Sequence, residues 1–369
     1  MRPYTFPSRH LQDFRAIACL CFLLAGIGIL TAADYPTPES GDYTIHDFKF
    51  KSGQTLPELR IHYRTLGAPQ RNGRGIVTNA VLILHGTTGN GGNFLRPEFA
   101  GELFGPGQLL DAAHFYIILP DGIGHGQSSK PSDGLHAHFP NYGYRDMIEA
   151  QYRLVSDGLK VNHLRLVMGT SMGGMHTWLW GEIHPDFMDA LMPLASVPTQ
   201  ISGRNRVWRR MIIDAIRTDP EWLDGEYKNQ PHGLAIAAEV LWFMGSNPVQ
   251  RYQEAPTLKQ ADEVLDRSVA NAMKTSDANN VLYALQASQD YDPNPDLEKI
   301  TAPLLAINSA DDLINPPEIG TLEHEIKRVP HGDCVMIPLS DRTRGHGTHT
   351  LAAVWEDHLA ELLKKSSGK

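Results

Sequence analysis

Six short apolar runs recur along the chain, each closed by a glycine or a polar turn: Ala80–Gly86 (AVLILHG), Phe115–Gly122 (FYIILPDG), Leu164–Ser171 (LRLVMGTS), Ala190–Ser196 (ALMPLAS), Pro303–Asp312 (PLLAINSADD) and Cys334–Ser340 (CVMIPLS). Runs this short, apolar throughout rather than alternating, are what strands look like when both faces of their sheet are covered. Helix-like stretches lie between several of them. From Tyr144 to Gly158, for example, Met147, Ala150, Leu154 and Val155 share one face. Strand and helix in alternation predict an α/β fold, a mostly parallel sheet flanked by helices. The stretch from Asp42 to Thr65 alternates instead, around Ser52-Gly53, which predicts an antiparallel pair of strands at one edge of the sheet.

One interval breaks the alternation. From Val197 to Asp296 no strand pattern occurs, but helical patterns do, at Val207–Arg217, Gly233–Gly245, Thr257–Lys274 and Ala278–Gln289. This predicts an inserted helical lid over 197–296, dividing one core into a first part, 34–196, and a second, 297–369. The insertion accounts for a length of 369 residues, about twice a typical domain.

The first 33 residues read differently. Arg2, Arg9 and Arg15 precede an apolar run, Ala16–Leu30, followed by Thr31-Ala32-Ala33 and polar Asp34. That order is a secretory signal peptide over 1–33, cleaved after Ala33, and its apolar core is short for a retained membrane anchor, the alternative. Cys19 and Cys21 would leave with it, so only Cys334 would remain and no internal disulfide could form. The expected location is therefore periplasmic or secreted, with no stable membrane insertion after cleavage. With 41% hydrophobic residues the chain is not a disordered one, and 33 Lys plus Arg against 42 Asp plus Glu, net −9, argue against nucleic acid as partner.

The chemistry sits where the strands end. Gly169-Thr170-Ser171-Met172-Gly173 fits G-x-S-x-G directly after an apolar strand and before a helix-like segment, the setting of a nucleophile elbow. A serine hydroxyl needs a base to take its proton and an acid to orient the base. Asp312 follows one later strand and His346 the next, and these are assigned as acid and base. Asp311 and His349 are their rivals. The developing oxyanion needs N–H donors, for which the backbones of Met172 and Thr87 are assigned, the latter after His85-Gly86. No cofactor or metal is expected: Gly122-Ile123-Gly124-His125-Gly126 departs from a dinucleotide loop, and the pairs His136/His138 and His346/His349 lack a third ligand. Trp178, Trp180 and Trp208 are read as packing residues.

The run Gly169–Tyr227, Asp277-Ala278-Asn279-Asn280 with the helix after it, the proline pair after Asp312, and Gly345-His346 resemble the homoserine O-acetyltransferase branch of the α/β-hydrolase superfamily, over most of the chain from about Leu56 to His349. The resemblance implies an α/β-hydrolase fold with a helical lid and an acyl-enzyme mechanism. It also implies Asp312 as the acid, because the family's acid precedes its prolines by the same interval. Two segments depart from the family. PDGIGHGQSSKP stands in place of a long Asn-Val-Leu-Gly stretch, and Gly347-Thr348-His349 in place of acidic and apolar residues. Acetyl-CoA and homoserine are cytoplasmic, whereas the leader points outward. The expected function is therefore an exported serine hydrolase acting on a small-molecule acyl substrate, with O-acyl transfer through the same residues as the runner-up and an inactive binding protein as a third reading. A homodimer is one of the oligomeric states left open.

Overall fold

The computed structural model describes residues 35–367. The leader over 1–33 and its cleavage point lie outside them. Among the described residues no helix is long and apolar enough to cross a membrane.

Each of the six apolar runs forms a strand. Together with the predicted edge pair they make one eight-stranded sheet: β1 (Glu39–Lys49), β2 (Thr55–Leu66), β3 (Ala80–Leu84), β4 (Tyr116–Pro120), β5 (Leu166–Thr170), β6 (Leu191–Leu194), β7 (Leu304–Ser309) and β8 (Gly332–Ile337). The order across the sheet is β1-β2-β4-β3-β5-β6-β7-β8. β1 and β2 pair antiparallel and β2 joins β4 antiparallel, while every pair from β4 to β8 is parallel. β3 to β7 are buried along their whole length, as strands covered on both faces must be.

The helices are α1 (Ala100–Leu103), α2 (Tyr144–Arg153), α3 (Met172–Ile183), α4 (Gly203–Arg217), α5 (His232–Gly245), α6 (Pro248–Glu254), α7 (Leu258–Thr275), α8 (Ala278–Ala287), α9 (Thr321–Glu325) and α10 (Glu356–Lys365). One apolar cluster joins α2 and α3 to one side of the sheet through Met147, Leu154, Trp178 and Leu179; a second, with Phe99, Phe104, Trp355 and Leu359, fills the other. The segment between β6 and β7 contains no strand. Its helices have an apolar cluster of their own, built from Trp208, Ile212 and Ile216 of α4, Leu234 and Ala237 of α5, and Leu282 and Leu285 of α8. α7 forms where its spacing predicts, yet none of its residues is buried.

The chain leaves β3 for β4 on one side and returns to β5 on the other. This reversal of direction opens a crevice at the carboxyl ends of the parallel strands. The register aligns Leu84 of β3 with Gly169 of β5, so two residues beyond each, Gly86 and Ser171 lie side by side.

Candidate active site

Ser171 occupies the turn between β5 and α3 with φ 57° and ψ −110°, a conformation that costs an L-residue energy. The turn is sharp enough that glycines must flank it. A Cβ on Gly169 would stand 2.2 Å from the Gly173 carbonyl oxygen, and one on Gly173 would stand 1.8 Å from that of Leu84. No side chain fits either gap, which is the physical reason for the spacing of the motif.

Three residues that the sequence places far apart meet here. His346, in the loop after β8, has Nε2 2.8 Å from Ser171 Oγ and Nδ1 2.9 Å from Asp312 Oδ2. Asp312 is held by its second oxygen, which accepts the N–H groups of Ile314 at 2.8 Å and Asn315 at 3.1 Å. Burial alone would raise the Asp312 pKa. The imidazole of His346 and those two N–H groups outweigh it, and the carboxyl lies below its ordinary value. With Nδ1–H donating to Asp312, Nε2 is left as acceptor for the serine hydroxyl.

The rivals sit elsewhere. His349 is half-buried with its ring 5.0 Å from that of His346, and desolvation, with His346 beside it, pushes its pKa down to about 3. Asp311 bonds to the Gly345 N–H and to Asn247, not to either histidine. Among the described residues no group of three or more His, Cys, Asp or Glu side chains is arranged to hold a metal ion.

The loop after β3 is gripped from behind. His85 Nε2 accepts the Gly122 N–H at 2.9 Å, which leaves the proton on Nδ1, and Nδ1 donates to the Gly86 carbonyl at 2.8 Å. The Gly89 N–H donates to the same oxygen. That carbonyl belongs to the peptide group whose other end is the Thr87 N–H, and in a planar trans peptide the two point in opposite directions. The Thr87 carbonyl lies 2.7 Å from His125 Nε2. Gly122–Gly126 thus does more than turn the chain, because its histidine underpins the neighbouring loop. Buried Asp121 fixes both loops, accepting from Gly91 N–H, Gln127 N–H and Arg64. Met172 lies in the first turn of α3, where N–H groups have no acceptor within the helix.

A cavity of about 570 Å³ opens over Ser171 and His346, bordered by Thr87 and, from the inserted helices, by Trp208, Arg209 and Leu241. Trp208 was expected only to pack; it also walls this cavity, because α4 passes across the strand ends. Trp178 and Trp180 are buried packing residues, as expected. Arg209 is 1% exposed, and the side chains it meets, Asn205, Ser288 and Tyr144, are neutral. Its position in RNRVWRR, one turn into an apolar-faced helix, gave only a weak signal of a buried cation.

His85, His125 and His176 form a buried cluster beneath the loop after β3. Burial pushes His85 down to about 4, with His125 adding to the effect, and lowers His125 and His176 as well. His85, His176 and His349 stay neutral in the folded chain at pH values where an unfolded histidine takes a proton. The unfolded state then binds more protons, so stability is complete above about pH 6.5 and declines below it, by roughly 1.4 kcal/mol per unit of depression for each ring. Denaturant titrations at pH 7.5 and pH 5 should show this loss, and His85→Gln should reduce it; a flat profile would contradict the assignment of neutral rings.

Comparison with known proteins places these features in a group. A profile of the alpha/beta hydrolase fold matches residues 79–341. The chain is 30% identical to a homoserine O-acetyltransferase of Moorella thermoacetica over 79% of this chain and 85% of that one. It is 28% identical to a probable acyltransferase of Methanothermobacter thermautotrophicus, over 76% and 85%. Among solved structures it superposes on that of esterase E22 with a TM-score of 0.77 at 20% identity, covering 89% of this chain and all of that one.

Proposed function

The chain belongs to the α/β-hydrolase family, in the branch that holds the homoserine O-acetyltransferases, and from that premise we propose that it is an exported serine hydrolase that cleaves an ester or related acyl bond. The observation that carries this reading is the unbroken hydrogen-bonded line from Ser171 Oγ through His346 to Asp312. Ser171 Oγ attacks the carbonyl carbon while its proton passes to His346 Nε2, and Asp312 stabilises the imidazolium. The N–H groups of Thr87 and Met172 take the oxyanion, the first aimed by the hold of His85 on the Gly86 carbonyl. As the tetrahedral species collapses, the leaving alcohol takes the proton from His346 and the acyl group stays on Ser171. Water, deprotonated by the same ring, then releases the carboxylic acid. The helices between 197 and 296 act as a lid over this chemistry.

A covalent test fits the mechanism: a fluorophosphonate should modify Ser171 alone, as located by peptide mapping. A well-folded but unlabelled protein would favour an inactive binding scaffold.

Acyl transfer to an alcohol is the second reading, and Arg209 is the observation that favours keeping it. A buried guanidinium with neutral partners offers an acceptor's carboxylate a place beside the acyl-serine. Product analysis with an acyl donor, with and without homoserine, separates the two; free acid in both mixtures supports hydrolysis.

Export rests on the order of charge, apolar run and small residues in 1–33. Expressed with its full leader in a bacterial host, the protein should be recovered from the periplasm or medium with Asp34 as its first residue. Recovery from the cytoplasm beginning at Met1 would remove export from the proposal.

A further inference from the structure

Asp311 stands next to the triad acid and has different partners. Its Oδ2 accepts the N–H of Gly345, the residue before His346, at 2.9 Å. The same oxygen accepts a hydrogen bond from Nδ2 of Asn247, a residue of the inserted helices that is 4% exposed. Asn247 is also the N-cap of α6, its Oδ1 taking the Gln250 N–H at 3.1 Å. One turn on, Gln250 Nε2 donates to the Thr343 carbonyl at 3.0 Å, so α6 touches the histidine loop at a second point. Gly345 has φ +60°, and a Cβ there would come within 3.5 Å of Asn247. The turn that presents His346 is thus built directly against the start of α6. The other Asp311 oxygen is buried with no hydrogen-bond partner.

We propose that Asp311 is a positioning residue that couples docking of the inserted helices to placement of His346, through one carboxylate oxygen shared by the Gly345 N–H and the Asn247 side chain. This rests on reading His346 as the base. When α6 is seated, Asn247 and Gln250 fix both ends of the segment 343–345 and the ring lies between Ser171 and Asp312. When α6 lifts, Thr343 loses Gln250 and Asp311, the acceptor of the Gly345 N–H, loses Asn247, so the relay loosens with the lid. An open lid therefore holds an idle nucleophile, and a closed one an assembled relay.

The test separates loss of the shared acceptor from loss of charge. In Asp311→Asn an amide oxygen at the same place still accepts from both Gly345 and Asn247, whereas Asp311→Ala removes both bonds at once. In Asn247→Asp two carboxylates face each other, although an aspartate still caps α6. Asp311→Ala and Asn247→Asp should each lower kcat for a 4-nitrophenyl ester about tenfold with KM within about twofold. Asp311→Asn, which keeps the shared acceptor, should hold kcat within about threefold of wild type. The Asn247→Asp loss should also shrink as the pH is lowered and one proton bridges the carboxylates, which a packing defect would not do. An Asp311→Asn no better than Asp311→Ala, or Asp311→Ala and Asn247→Asp indistinguishable from wild type, would overturn the proposal. Gln250→Leu, which cuts only the outer bond, serves if a single variant does not fold: kcat should fall about threefold, and an unchanged value overturns the coupling. Ser171→Ala assayed in parallel separates the two levels. Turnover persisting in Ser171→Ala would sink the catalytic reading itself, whereas a dead Ser171→Ala with Asp311→Asn no better than Asp311→Ala sinks the coupling alone.

Discussion

Ser171→Ala abolishes ester hydrolysis and fluorophosphonate labelling, with kcat/KM falling by about 10⁴ to 10⁶ and the unfolding transition little changed. The fold should tolerate the change because the cost at this position lies in the backbone, φ 57° with a Cβ present, and alanine has the same Cβ as serine. What is lost is one oxygen atom in line with His346 Nε2. Whatever rate remains comes from substrate binding and the oxyanion donors at Thr87 and Met172, which do not need the serine. Labelling or turnover at the wild-type level in this variant would mean that another group is the nucleophile.

The second largest effect is expected for Asp312→Asn: kcat falls about 10³- to 10⁴-fold while KM moves little. The reason is specific to the way this residue is held. One Asp312 oxygen accepts two backbone N–H groups, from Ile314 and Asn315, so an asparagine must keep its carbonyl oxygen there. Its NH₂ then faces His346 Nδ1. That nitrogen must become an acceptor, the ring proton moves to Nε2, and Nε2 can no longer accept the serine proton. Asp311→Asn, by contrast, leaves the tautomer untouched and keeps the acceptor shared by Gly345 and Asn247, so it should lose no more than about threefold. A pre-steady-state burst with an activated ester measures the acylation step in each. If the larger loss falls on Asp311→Asn, the acid has been misassigned.

The apolar runs were legible because buried parallel strands need unbroken hydrophobic sequence, and the elbow because its glycines answer to distances that no side chain survives. Other features depend on contacts that a linear reading does not contain. Asp311 and Asp312 are neighbours in one turn with the same chemistry; the residues' own pattern left them as rivals, and they part company only because one points at His346 and the other at Asn247. His85 and His125 look like turn residues because their partners are carbonyl oxygens, which every residue carries. α6 escaped notice because Pro248–Glu254 is short and polar and buries no residue, so it has no apolar period to detect. Trp208 reads as a core residue on α4, and only the passage of that helix over the strand ends turns its ring toward the cavity.

The position of β8 at the end of the sheet has a consequence in time. His346 lies 175 residues from Ser171, beyond the last strand to be synthesised. A chain emerging from the ribosome can complete the elbow and the loop after β3 early, but the base arrives only after β8 pairs with β7. Contacts of such long sequence separation form late in folding. Activity therefore begins when the fold is finished, and a precursor kept unfolded for passage through a membrane would cross it as a chain with no working base.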